Sequence, residues 1–147
     1  MEYTQGRIGR IFLLKFKDDD VVVKTLETFA SKERLRTGMF VFLGALKKGH
    51  LVAGPKKPVV PPEPHWLKFK DAWEVFGVGS IFSNKKGKPQ VHVHTSMGKK
   101  TKVLTGCLRK DSKVFLVIEA VVFELKGVRA LKDIDPLTGL NLLKILA

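Results

Sequence analysis

Two histidines and the only cysteine of this chain carry the side chains best suited to bind a metal ion. His92 and His94 are separated by one residue, and Cys107 follows closely in the sequence. If this segment is a β-strand, the two imidazoles point to one face and Val91 and Val93 to the other, because side chains alternate with a period of two. Zinc accepts mixed imidazole and thiolate ligands, and three protein ligands leave one position free for water or a substrate. The spacing therefore predicts a metal site on a sheet.

The third ligand depends on the segment that follows. Cys107 lies on a segment that could pair with the strand of His92 and His94 through a turn at Gly98. The two histidines would lie about 6–7 Å apart at Cα, close enough to converge on one ion. The face that Cys107 takes stays open, because the length of the turn is unknown. The residues alone also fit two exposed polar side chains and a buried cysteine that packs as a small hydrophobic group.

An acidic residue interrupts the most apolar segment of the chain, residues 114–123. Glu119 shares a face, at a period of two, with Phe115, Val117, Val121 and Phe123. A carboxylate among apolar neighbours is costly unless it is paired or linked to a metal. Glu119 could orient a metal-bound histidine, transfer protons in an enzyme, or pair with a basic residue across the sheet, and the ion pair is the favoured interpretation.

The chain is strongly basic, and many of its basic residues surround the predicted metal site. The net charge is +13, from 27 lysines and arginines against 14 acidic residues. Such a charge favours nucleic acid, an acidic membrane surface or phosphorylated ligands, and a solvated lysine-rich surface is an equally good interpretation. The predicted nucleic-acid-binding residues are Lys85, Lys86, Lys88, Lys99, Lys100, Lys102, Arg109 and Lys110.

The rest of the sequence predicts an α/β fold of the α+β type, a compact single domain around a mainly antiparallel sheet with flanking helices. Asp18, Asp19 and Asp20 are expected to cap a helix over residues 21–34, and residues 136–146 to form a short closing helix. The prolines of residues 54–64 predict an exposed loop. Strands are expected at residues 10–17, 38–46, 50–53, 65–69, 73–82, 90–97, 101–108 and 114–125, the last of them central to the sheet.

Composition limits the class of protein. The chain has 147 residues, of which 44% are hydrophobic and 28% charged, which is typical of one globular domain with its own core. No apolar segment approaches the roughly 20 residues needed to span a bilayer, and the N-terminus has no secretory pattern. A single cysteine forms no intrachain disulfide. We therefore expect a cytoplasmic protein with one domain over residues 1–147 and no membrane partner.

The order of these motifs resembles the PPC (plants and prokaryotes conserved) domain family, which occurs in plant AT-hook nuclear proteins and as stand-alone prokaryotic proteins. The specific part is residues 89–98, which read Pro-Gln-Val-His-Val-His-Thr-Ser-Met-Gly. Residues 42–46, a strand with Gly77 and Gly79, and residues 105–108, Thr-Gly-Cys-Leu, support it. The resemblance covers approximately residues 9–125.

The resemblance implies a compact α/β unit, a homotrimer and a metal site of three histidines. His92 and His94 match two of these, whereas Cys107 stands in the place of the third, where the family has Gly-Gly-His-Leu. Cysteine can still bind zinc or another divalent transition metal, but it adds a thiolate charge. The chain lacks the Arg-Gly-Arg-Pro core of an AT-hook, so DNA binding would depend on charge alone.

Three functions are consistent with these features. The first is a non-enzymatic homotrimer that binds a metal at His92, His94 and Cys107 and contacts DNA of the nucleoid without strong sequence specificity. The alternative is a metal-dependent lyase that resembles acetolactate decarboxylase, in which the metal polarises the carbonyl of an anionic substrate and Glu119 transfers protons. The third is a metal-free assembly protein in which Cys107 is buried.

Overall fold

Strands dominate the part of the chain that the computed structural model describes, residues 1–146. The strands are separated by short connections, and the longest connection without regular structure lies between β2 and β3. In chain order the elements are β1 (Arg7–Lys17), α1 (Val22–Lys32), β2 (Thr37–Pro55), β3 (Pro64–Ser83), β4 (Pro89–Lys99), β5 (Lys102–Leu108), β6 (Lys113–Lys126), β7 (Ala130–Ile134) and β8 (Asn141–Ile145).

The first six strands form one antiparallel sheet in the order β1-β6-β2-β3-β4-β5. β2 has two neighbours along one edge, because its first part pairs with β6 whereas Leu51 and Val52 pair with β5. The sheet therefore curls until β5 returns to β2, and β2, β3, β4 and β5 close into a ring. The hairpin of β7 and β8 is a separate sheet, joined to the end of β3 by a parallel bridge between Lys132 and Asn84.

The hydrophobic core lies between the inner face of the curled sheet and α1. The apolar residues of α1 recur at helical spacing, so that Val22, Leu26 and Ala30 all face the sheet and are fully buried. The sheet contributes Phe16, Phe40, Leu46, Ile81, Val93, Met97, Ile118 and Val122 to this core.

Within residues 1–146, no helix has the length and apolar character needed to cross a lipid bilayer.

The predicted fold class is only partly correct. The antiparallel sheet and the compact core are present, but 64% of the chain is strand and the described residues contain one short helix instead of several flanking ones. The closing helix predicted for residues 136–146 is wrong, because Asn141–Ile145 pairs with Ala130–Ile134 as strand β8. Leucines in this segment lie two and three residues apart, a spacing compatible with a strand or a helix. Pairing with β7 favours the strand.

Two predicted pairs of strands are each one continuous strand. Residues 47–49 do not form a turn, since β2 runs through them with a register shift between Leu46 and Lys48. β3 likewise runs through residues 70–72. The two long strands β2 and β3 pair along most of their length and form one long hairpin. The proline-rich loop is present between them, as predicted.

The aspartates at residues 18–20 do not cap α1, contrary to the prediction. No side chain caps the first turn of this helix. Asp18 and Asp19 both pair with Lys47, and Asp18 also accepts the backbone N–H of Leu116. The hydrogen bond from Lys47 is the main reason that the pKa of each of these carboxyls lies below its ordinary value. Through these contacts, Asp18 and Asp19 hold the turn between β1 and α1 against β2 and β6.

Candidate metal centre

β4 presents both predicted histidines on the outer face of the sheet. Val93 between them is 1% exposed and Val91 packs against the core, which is the alternation that the sequence predicted. His92 and His94 are exposed, and their rings meet edge to face with centroids 4.9 Å apart. The apolar side chains of β4 therefore fix which way the two imidazoles point.

Cys107 lies on the same face, because β5 pairs with β4 so that Cys107 is directly opposite His94. Directly opposite residues in an antiparallel pair point to the same side of the sheet. On its other side, Cys107 is opposite Val52 of β2. Gly106 makes this approach possible, since a Cβ at that position would lie 2.5 Å from the carbonyl oxygen of Val52.

The three side chains lie close enough together to converge on one metal ion. The Nε2 atoms of His92 and His94 are 3.2 Å apart, and one ligand atom of each histidine and the Cys107 Sγ all lie within 4.8 Å of one another. Two imidazole nitrogens on a tetrahedral zinc are about 3.3 Å apart, given zinc–nitrogen bonds of about 2.0–2.1 Å. Small side-chain movements therefore suffice for all three to contact one ion, and a tetrahedral ion would keep its fourth position open.

Partial loss of solvent disfavours the charged forms of His92 and Cys107. Loss of solvent is the main reason that the pKa of His92 lies below its ordinary value, and the charges of Lys132, His94 and Arg109 lower it further. Loss of solvent also raises the pKa of the Cys107 thiol, although Arg109 and Lys132 act in the opposite direction. His92 is thus neutral and free to bind a metal at neutral pH, whereas binding at Cys107 must displace a proton.

A cavity of about 610 Å³ opens beside the three ligands. Its walls come from β2, the proline-rich loop, the first part of β3 and the β7–β8 hairpin, so elements distant in sequence meet around the site. The residues lining it are mostly apolar. They include Val52, Pro55, Pro62, Pro64, Trp66, Val91, Leu140 and Leu142, together with His92, His94, Cys107, Arg109, Lys110 and Lys132.

Two cationic side chains in this cavity have no carboxylate partner among residues 1–146. Lys132 is 6% exposed, and the Nε atom of Arg109 is buried without a hydrogen bond. The Arg109 guanidinium stacks over the ring of Trp66, with its Cζ atom 5.2 Å from the ring centroid. Arg109 was predicted only as part of a basic surface and Lys132 was missed. The available signal for Lys132 was that it shares a strand face with the apolar residues Ala130 and Ile134, at a period of two.

Glu119 does not line this cavity. It lies on β6 opposite Leu43 and Lys15, it is exposed, and it forms no ion pair with any residue in the described range. The predicted apolar surroundings of Glu119 are present on the same face of β6, but this face is turned away from the core. In the isolated protomer, Glu119 is therefore not positioned to act on a molecule held beside His92.

The predicted basic residues do not form one continuous surface. Residues 85–88 lie at the start of β4 and residues 99–102 at its end, about 30 Å apart along the strand. Arg109 and Lys110 lie near the middle, beside the cavity. Ion pairs with acidic side chains hold Lys85, Lys99 and Lys110.

An extended apolar surface continues from the metal site across the outer face of the sheet. Leu13, Val121, Val41 and Val78 are successive cross-strand neighbours, and the next residue in this row is His94. Leu13 is 79% exposed, Val41 is 43% exposed and Val78 is 50% exposed. Further exposed apolar residues beside this row are Ile11, Met39, Leu43, Phe76 and Val103. We name the row and these residues together the outer apolar face.

Comparison with known families identifies one match over most of the chain. The model of the Plants and Prokaryotes Conserved (PCC) domain matches residues 3–126. These residues include β1 to β6 and all three candidate ligands, whereas the β7–β8 hairpin lies outside them. Among curated proteins, none matches this sequence.

Solved structures share the fold over the whole chain at low sequence identity. A metal-containing protein from Archaeoglobus fulgidus is 24% identical, with a TM-score of 0.84 and 100% of both chains covered. A plant- and prokaryote-conserved (PPC) protein from Pyrococcus horikoshii is 23% identical, with a TM-score of 0.85 over 100% of this chain and 99% of the other. A protein from Bacteroides thetaiotaomicron, provisionally described as DNA-binding, is 20% identical, with a TM-score of 0.75 over 95% and 97% of the two chains.

Proposed function

The chain belongs to the Plants and Prokaryotes Conserved (PCC) domain family, and from this premise we propose that it binds zinc or another divalent transition metal through His92, His94 and Cys107. The observation that carries the proposal is the convergence of three ligand atoms within 4.8 Å of one another. A neighbour of the same fold is described as metal-containing, which agrees with it. A metal held there would act as a Lewis acid with one open position toward the cavity.

Metal analysis of untagged protein tests this proposal. The wild-type chain is expected to bind one equivalent of zinc per protomer, and His94→Ala and Cys107→Ala to bind much less. His50→Ala is a matched control, since His50 lies on β2 outside the ligand set. Equal zinc content in the wild type and in both ligand variants would remove the metal site.

The proposed assembly is a homotrimer in which the outer apolar face is covered. Monomeric proteins rarely expose a contiguous apolar surface of this extent, and exposed patches usually mark interaction sites. The row from Leu13 to Val78 provides such a surface on four neighbouring strands. Three copies around one axis would remove it from water, which is the arrangement that the family resemblance predicts.

We further propose weak DNA association through the basic residues, without sequence specificity. The net charge of +13 supports it, and two neighbours of the same fold are provisionally described as DNA-binding. Salt titration of binding to random duplex DNA tests the idea, using separate glutamine variants of the lysines at residues 85–88 and at residues 99–102. Loss of affinity in one variant alone would locate the DNA at one end of β4. No binding of the wild type at low salt would exclude the association.

A cytoplasmic location stays a prediction.

A small-molecule enzyme is the second candidate function. The specific observation in its favour is the cavity of about 610 Å³ into which the three ligands face, a volume within the range of small-molecule sites. Catalysis would need a proton-transferring group beside the open metal position, and Glu119 does not line that cavity in the protomer. Metal binding without catalysis therefore remains the leading proposal.

A further inference from the structure

The two cations beside the metal ligands have no carboxylate partner among residues 1–146. Lys132 is 6% exposed as a whole residue, and the Nε atom of the partly buried Arg109 has no hydrogen-bond partner. Charges that are largely removed from water are normally paired in proteins. An anion that enters the cavity would supply the counter-charge.

A bound metal would increase this need. Only Cys107 among the lining residues can carry a negative charge, and one thiolate does not neutralise a divalent ion together with Lys132 and Arg109. Lys132 and Arg109 both act electrostatically on Cys107 and on His92, so the four groups lie within range of one another. An anion between the cations and the metal position would interact favourably with all of them.

The walls of the cavity indicate what else the anion carries. Apart from the charged groups, the lining is largely aliphatic, with prolines from the loop and leucines from the β7–β8 hairpin. Trp66 adds an indole face that is 55% exposed. A hydrated inorganic ion would leave this apolar surface unused, whereas an organic molecule with an apolar body would bury it.

The hairpin that closes the cavity is not part of the family match. Lys132 and Leu142 lie beyond residues 3–126, and Asn141 attaches the hairpin to β4 through a hydrogen bond to Gln90. We propose that this cavity binds a small organic anion, with its carboxylate or phosphate group between Lys132, Arg109 and the metal position and its apolar body against Trp66 and the prolines. This inference deepens the proposed metal-binding function, since it names the ligand class of the same site.

Four probes separate the parts of this proposal: hexanoate, hexyl phosphate, hexan-1-ol and inorganic phosphate. Binding is followed by calorimetry and by the fluorescence of Trp66, because Trp73 is buried and contributes a constant background. We expect hexanoate or hexyl phosphate to bind at least tenfold more tightly than hexan-1-ol and inorganic phosphate. The tighter of the two anions identifies the head group. Equal binding of hexanoate, hexyl phosphate and hexan-1-ol would overturn the proposal.

Variants assign the binding to the two cations. Lys132→Met and Arg109→Gln are each expected to weaken hexanoate binding at least tenfold, whereas the control Lys24→Met, exposed on α1, leaves it unchanged. Lys132→Met is expected to fold, because methionine is an unbranched, adaptable side chain that fits where the lysine stem lies, and its urea unfolding curve checks this. Full hexanoate affinity in folded Lys132→Met would overturn the proposal.

Zinc content, measured on the same samples, distinguishes the two proposals. If zinc binds at His92, His94 and Cys107 but Lys132→Met has no effect on the anions, the metal proposal stands and the anion proposal fails. If hexanoate binding needs Lys132 but no variant changes zinc content, the anion proposal stands alone. With both correct, removal of zinc by EDTA lowers hexanoate affinity further in the wild type.

Discussion

Cys107 is the direct cross-strand neighbour of His94 on β4, and on its other side Gly106 lets β5 approach β2 closely. The register places the thiol on the face of the two imidazoles. The neighbouring glycine removes the side chain that would otherwise meet the carbonyl oxygen of Val52. The proposed metal site thus depends on a residue outside its ligand set.

Gly106→Ala is therefore expected to displace β5 and weaken zinc binding. The added Cβ would lie 2.5 Å from a backbone oxygen, so the strand must move rather than a flexible side chain. We expect a loss of about 1–3 kcal/mol in the free energy of unfolding, which is typical of overpacking. Urea unfolding and a zinc competition titration measure the two effects.

The matched control is Gly98→Ala on β4, where nothing lies within 4 Å of the added Cβ. This control should leave zinc affinity unchanged. Equal zinc affinity in Gly106→Ala and Gly98→Ala would show that the close approach of β5 to β2 has no part in forming the site.

Cys107→His is expected to keep the metal but change its spectrum. Histidine supplies a neutral nitrogen in place of a thiolate, so cobalt should still bind but without the intense sulfur-to-metal charge-transfer absorption of the wild type. Absorption spectra of the cobalt-substituted proteins measure this. A wild-type cobalt spectrum that already lacks that absorption would mean that Cys107 does not bind the metal.

Periodicity was sufficient to predict the shared face of His92 and His94 but not the surroundings of these side chains. The alternation of Val91, His92, Val93 and His94 fixed the direction of both imidazoles, since apolar side chains of a strand must face the core. The partner of Cys107 could not be derived, because it depends on turn length and on the curl of the sheet. The position of Lys132 beside the site could not be derived for the same reason, because it follows from packing of the β7–β8 hairpin against β3 and β4.

Acid should destabilise the fold through protonation of Glu124. Arg10 hydrogen-bonds the carboxylate of Glu124 and is the main reason that the pKa of Glu124 is lowered to about 2. A carboxyl whose folded pKa lies below its unfolded value stabilises the protein above the unfolded pKa, and this contribution is lost as pH falls from about 5 to about 2. We expect about 1 kcal/mol, since Arg10 is 42% exposed and water screens the pair.

Urea unfolding of the wild type and Glu124→Gln across that pH range tests the contribution of the pair. Glu124→Gln should be less stable at pH 7 and should approach the wild type near pH 2. Glu119→Gln serves as the control, because Glu119 is exposed and unpaired in the described part of the chain. If Glu124→Gln and Glu119→Gln lose the same stability at pH 7, the Arg10 pair contributes nothing.

Charge on the outer apolar face is expected to break the assembly. Val78 and His94 are direct cross-strand neighbours, so the apolar row ends at a metal ligand and an interface there would border the site. Val41→Lys places an ammonium in the middle of the row, where burial against a second copy would be very costly. The mass measured by light scattering coupled to gel filtration should change from that of a trimer to that of a monomer.

Leu137→Lys is the control, since Leu137 is 76% exposed in the β7–β8 turn, away from the outer apolar face. A monomeric wild type, or an unchanged trimer in folded Val41→Lys, would contradict the proposed interface, and zinc content in the dissociated variant would reveal whether the site needs a neighbouring copy.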